Sequence, residues 1–136
     1  MKIWKHAVIF YLGGMLYMGI ELLWRGWSHG SMFVLGGLCF WLIGGLNQQY
    51  PRMSVLGQML LGTLIIVAAE WYGGLLMNCW LGWGVWDYSG APYNLLGQIC
   101  LPYALLWFPV SGIALLTEDG LRRWLFAEPL PRYRWI

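Results

Sequence analysis

Four long apolar runs, Ala7 to Trp24, Ser31 to Leu46, Val55 to Leu76 and Leu95 to Leu116, hold only two charged side chains between them, Glu21 and Glu70. A hydrocarbon core is crossed by roughly 20 apolar helical residues, with about 17 to 25 observed. Lipid offers no partner to unpaired backbone groups, so spanning segments must be helices or closed barrels, and the alternation of a barrel strand is absent. The expected fold is all-α: a polytopic membrane protein whose four transmembrane helices form a bundle over residues 1–120, followed by a cytoplasmic C-terminal tail, 121–136. The second run is short, and Asn47 and Gln48 extend it to the interface. Composition agrees. Of 136 residues, 60% are hydrophobic and 10% charged, against about 25% charged in soluble domains, too few to cover a water-facing surface. The expected location is the cell membrane, with the lipid bilayer as first partner.

A secretory leader is the rival reading of the first run, with Lys2 and Lys5 as its charged start. Glu21-Leu22-Leu23-Trp24 stands where a small-residue cleavage site would be needed, so the run reads as a retained span. Orientation follows from the basic residues. With the N-terminus inside, the cytoplasmic side collects Lys2, Lys5, Arg52, Arg122, Arg123, Arg132 and Arg134, and the opposite side only Arg25. That asymmetry predicts both termini in the cytoplasm. Trp4, Trp24, Trp27, Trp71, Trp80, Trp83, Trp86 and Trp124 fall near span ends, where amphipathic rings favour the headgroup region. Pro102 and Pro109 lie inside the fourth run and are expected to kink it. Beyond Leu116, Thr117-Glu118-Asp119 opens a short amphipathic segment, Leu121 to Phe126, and a tail with Pro129 and Pro131 expected to be poorly ordered.

Several function classes are excluded. No basic run with interleaved aromatics exists, so nucleic acid is not an expected partner. No HExxH spacing, Ser-His-Asp order, Walker loop or dinucleotide fingerprint is present, and neither metal nor cofactor is expected. Gly13-Gly14, Gly36-Gly37, Gly44-Gly45 and Gly73-Gly74 lie within spans as helix-packing surfaces. Cys39, Cys79 and Cys100 are widely spaced and read as small hydrophobes.

Polar groups remain to be placed. A carboxylate at the centre of a membrane helix costs about 2.5–3.5 kcal/mol on insertion scales, so it faces a partner or a watery cavity. Glu21 and Arg25 share a helix face, acid first, and His29 lies four residues on. Glu70 has no basic neighbour in its own run and must meet its partner on another helix. Asp87 falls in the loop between the third and fourth spans, within Trp86-Asp87-Tyr88-Ser89, and Asn94 and Gln98 are a helical turn apart at the start of the fourth. All map to the outer side. They predict an outward-facing polar pocket whose ligand-binding residues are Glu21, Arg25, His29, Glu70, Trp86, Asp87, Tyr88, Asn94 and Gln98. The alternative is that the same groups pair internally to lock the helices.

The run Trp86-Asp87-Tyr88-Ser89 followed by Pro92, Asn94, Gly97 and Ile99 resembles the WDYS…P-x-N-x-x-G-x-I signature of the CmpB-like family, described as ABC transporter type IV. Glu21, Arg25-Gly26 and Gly30 are similar to its first-half Glu…Arg-Gly…Gly-Pro pattern, with Ser31 where the family has Pro. The resemblance covers most of the chain, implies a small multi-pass membrane fold and singles out Asp87 and Asn94.

Three functions are compatible with these residues. One is binding, or helping to transport, a small polar solute or lipid headgroup. A second is a structural or regulatory subunit of a membrane complex. The third is a membrane enzyme acting on lipid headgroups, with Glu70 or Asp87 as general base. Four helices enclose little volume, so a homo-oligomer or a partner membrane subunit is expected.

Overall fold

The first run folds as α1 (Ile3–Arg25), which stops where Gly26 takes a φ of +79° and returns its N–H to the Leu22 carbonyl at 3.0 Å. Glycine adopts this left-handed helix end without a Cβ penalty. The computed structural model describes residues 3–26, 29–50, 52–130 and 133; Lys2, Trp27, Pro131, Arg132, Arg134 and the side chains of Asn47 and Gln48 lie outside the described residues. His29 caps α2 (Gly30–Gly44), its Nδ1 accepting the Ser31 N–H at 3.1 Å. A single turn, α3 (Leu46–Gln49), leads towards α4 (Val55–Gly74), capped by Ser54 through the Gly57 N–H. The last turns of this helix widen into a π-helix, Leu75–Trp80.

The fourth apolar run departs from expectation at both ends. Its helix, α5, spans Leu101–Phe126, not Leu95 to Leu116. At Leu95-Leu96-Gly97-Gln98 the chain makes a tight turn: Leu96 and Gly97 have φ of +53° and +72°, and the Gln98 N–H reaches the Leu95 carbonyl at 3.0 Å. Two consecutive left-handed residues suit a short hairpin, which pairs β1 (Asn94–Leu95) antiparallel with β2 (Ile99–Cys100). Asn94 and Gln98 therefore share no helix face. Pro102 lies in the first turn of α5, where its missing N–H is harmless, so only Pro109 sits in the helix interior. The separate amphipathic segment expected from Leu121 to Phe126 is simply the end of α5. Nothing breaks the helix there, because Glu118, Asp119 and Arg122 point into protein and are buried.

Helix α2 lies at the centre, packing on α1, α4 and α5, while α4 packs on α5 and α1 barely meets α5. A Cβ at Gly36 of α2 would strike the Tyr17 ring, so this glycine lets α1 lie close and seats Tyr17 against α2. Ile3–Arg25, Val55–Trp80 and Leu101–Phe126 are each long and apolar enough to cross a membrane. Gly30–Gly44 is apolar but has 15 residues, and at about 1.5 Å each it falls short of a core about 30 Å thick. Outward-facing side chains are apolar to a degree water would not tolerate: Leu23 is 91%, Leu105 66% and Leu64 59% exposed. Such continuous apolar surface belongs against lipid, and the chain is an all-α membrane protein.

The two ends differ in charge. Lys5 Nζ lies 5.2 Å from the Phe126 ring centroid, and Val55, just after Arg52, packs in one cluster with Leu115 of α5. Lys5, Arg52, Arg122 and Arg123 thus gather at one end, and Arg25 sits at the other. Of the tryptophans expected at the interfaces, Trp24, Trp80 and Trp83 are exposed at the Arg25 end and Trp124 at the opposite end. Trp86 departs from this. It is buried in a core cluster with Met32, Met77 and Val85, its indole donating to the Gln98 carbonyl at 3.0 Å.

Candidate functional site

Glu70 is placed by α4 near its Arg25 end, with no cation on its own helix. Its neighbours come from elsewhere. The Tyr88 hydroxyl from the loop and the Trp107 indole from α5 face its carboxyl, and Glu21 of α1 lies close enough to be felt electrostatically. Oε1 of Glu70 and Nε1 of Trp107 are both buried, and neither completes a hydrogen bond among the described residues. Burial, with the Glu70 carboxylate beside it, holds the Tyr88 phenol well above its ordinary ionisation range, so Tyr88 stays a donor.

On α1, Tyr17, Glu21 and Arg25 follow one another at helical spacing along one face. The Tyr17 hydroxyl lies beside Glu21, and Arg25 Nε pairs with Glu21 Oε2 at 2.5 Å. Arg25 Nη1 also donates to the Val85 carbonyl at 2.8 Å, tying the end of α1 to the loop after α4. The guanidinium is thereby committed to Glu21 and the loop.

The loop itself is held by its own amides. Asn78 Oδ1 accepts the Val85 N–H at 2.6 Å, and its Nδ2 donates to Gln98 Oε1 at 2.8 Å. Asn94 donates to the Ala91 carbonyl at 2.9 Å and accepts the Gly97 N–H at 3.1 Å. Asp87 is exposed and accepts the Ser89 N–H at 2.8 Å. His29 caps α2 and lies 5.4 Å from the Trp83 ring.

Between α1 and α5, with α2 and α4 as floor, runs a cleft of about 510 Å³, within the size range of small-molecule sites, roughly 300–1,000 Å³. It reaches from Arg25 and Glu21 at one end to Thr117 at the other. Along α5, from Tyr103 to Thr117, that is about 21 Å of helix rise. Of the residues the sequence singles out, Glu21, Arg25, Glu70, Trp86 and Tyr88 line it together; His29, Asp87, Asn94 and Gln98 do not. Those four cap a helix or knit the loop.

Among the lining residues that the sequence reading did not assign to the site are Tyr17, Tyr103 and Trp107. Tyr103 and Trp107 are a helical turn apart on α5, and Trp107 is too deep in its span for an interfacial belt, which was the available signal. Also unforeseen is a second polar cluster at the opposite end. Glu118, fully buried, pairs with Arg122 one turn on. A Cβ at Gly44 of α2 would collide with the Glu118 carboxyl, so the glycine makes room for it. Beside them Asp119 Oδ2 accepts the Tyr133 hydroxyl at 2.9 Å. Tyr133 is thereby held against α5, giving the buried Asp119 carboxylate a donor; the other residues beyond Leu130 lie outside the described residues. Burial and the Asp119 carboxylate raise the Tyr133 phenol above its ordinary range. The Glu118–Arg122 spacing repeats that of Glu21–Arg25, acid first.

A family model described as "Putative ABC-transporter type IV" matches residues 7–123. No curated protein and no solved structure matches the chain.

Proposed function

The chain belongs to this ABC-transporter type IV family, and on that premise we propose that it binds a single-chain amphiphile in the cleft between α1 and α5, holding the headgroup among Glu21, Glu70 and Tyr88. One observation carries the reading: the cleft is polar at its Arg25 end and apolar along its length. Leu16, Phe40, Leu106, Val110 and Ile113 follow Glu70 and Tyr88 towards Thr117. A small polar solute would leave that apolar length unfilled, whereas an alkyl chain would cover it. Because α1 and α5 barely touch, the chain enters sideways from the bilayer.

Adding dodecanol, dodecyltrimethylammonium or dodecyl sulfate at low mole fraction to the purified protein in uncharged maltoside micelles tests this. At least one is expected to raise the unfolding midpoint and to saturate. If none does, the polar end is only a helix lock and the scaffold reading takes its place.

The reading also assigns a side. Four helices cross or enter the membrane with both termini cytoplasmic, in keeping with the basic residues gathered at the Lys5–Arg122 end, and the headgroup end faces outward. Cys79 is exposed at the Arg25 end, whereas Cys100 is buried. A membrane-impermeant maleimide is therefore expected to label Cys79 in intact cells; labelling only after the cells are opened would reverse the orientation.

A further inference from the structure

We propose that the polar end of the cleft selects a cationic headgroup, an amine or quaternary ammonium carried on the alkyl chain. This rests on the amphiphile reading above and adds the sign of the charge.

The charge balance is the first support. Two carboxylates, Glu21 and Glu70, line this end against a single base, Arg25. Arg25 is already engaged with Glu21 at 2.5 Å and with the Val85 carbonyl, so among the described residues Glu70 has no countercharge from the chain. Its neighbours there, Tyr88 and Trp107, are uncharged and supply no countercharge. A negative headgroup would meet two like charges in a poorly hydrated site. A cationic one would give the buried Glu70 carboxyl the countercharge it lacks.

The second support is the shape of the aromatic wall. Tyr88 and Tyr103 are stacked with ring centroids 4.9 Å apart, and Trp107 follows at 6.4 Å from Tyr103. Tyr17 and Trp86 line the same cleft. An ammonium within about 6 Å of such ring faces is attracted by their quadrupoles, most strongly where water is excluded. A carboxylate set among rings supplies both the point charge and the diffuse one that an alkylammonium requires. Neither observation depends on the other, and both point to the same sign.

The dodecyl series separates this inference from the reading it rests on. In the wild type, half-saturation of the midpoint shift is expected at least tenfold lower for dodecyltrimethylammonium than for dodecanol, about 1.4 kcal/mol, with dodecyl sulfate weakest. Glu70→Gln is expected to bring the ammonium-to-alcohol ratio close to unity while dodecanol still stabilises. Equal response to the two probes in the wild type, or a preference that survives Glu70→Gln, overturns the cationic assignment and leaves amphiphile binding standing. Absence of stabilisation by all three removes both. Should Glu70→Gln fail to fold, Tyr103→Leu keeps the carboxylate and must lower the ratio severalfold; an unchanged ratio there also overturns the proposal.

Discussion

Replacing Arg122 by methionine is expected to destabilise the folded protein by about 3–5 kcal/mol, because it strands a buried carboxylate without its cation. Glu118 is 0% exposed, and its Oε2 has no hydrogen-bond partner among the described residues. Beside it Asp119 adds a second acid within the same buried patch. Methionine keeps most of the volume and removes the charge, so the loss reports the ion pair and not a cavity. Replacing both partners, Glu118→Leu with Arg122→Met, should recover most of the loss, since an apolar pair of similar volume carries no desolvation cost. Chemical denaturation in detergent measures both variants. A loss below about 1 kcal/mol for the single replacement, the range of exposed pairs, would show that this end of the bundle is hydrated.

Val110→Trp is expected to have the largest effect on binding without touching any polar group. Val110 lines the middle of the cleft, and an indole there would occupy the path of the alkyl chain. The saturable stabilisation by dodecyl amphiphiles should weaken at least tenfold, about 1.4 kcal/mol. The protein itself should remain folded, because the ring fills existing space instead of forcing packed side chains apart. The midpoint shift of the variant, measured against the same probes, checks this. Undiminished binding would place the amphiphile elsewhere.

The four-helix, all-α architecture was legible because hydropathy reads directly on the cost of leaving polar groups in lipid. The same cost made Glu21 and Glu70 conspicuous, and the structure brings them to one end of one cleft. Helix boundaries were less legible. Leu95, Leu96 and Ile99 extend the fourth apolar run through a hairpin, and hydropathy is blind to a tight turn made of apolar residues. Gly97 was the one local sign of it. Glu118, Asp119 and Arg122 were hidden for the converse reason. Charged residues at the edge of an apolar run look like the place where water begins, yet here they close against Gly44 and Tyr133. Asp87 and Asn94, prominent in the family motif, shape the loop through Ser89, Ala91 and Gly97, and the motif alone does not separate that work from contact with a ligand.

The near absence of contact between α1 and α5 has a bearing on how affinity is expressed. A molecule that arrives by lateral diffusion within a leaflet is drawn from a pool concentrated by its own lipophilicity. Lengthening its tail then strengthens apparent binding from water by about 0.8 kcal/mol per methylene, even when the added carbons touch no residue. Ranking compounds by aqueous concentration would order them by tail length, and only their mole fraction in the bilayer reveals which heads the protein prefers.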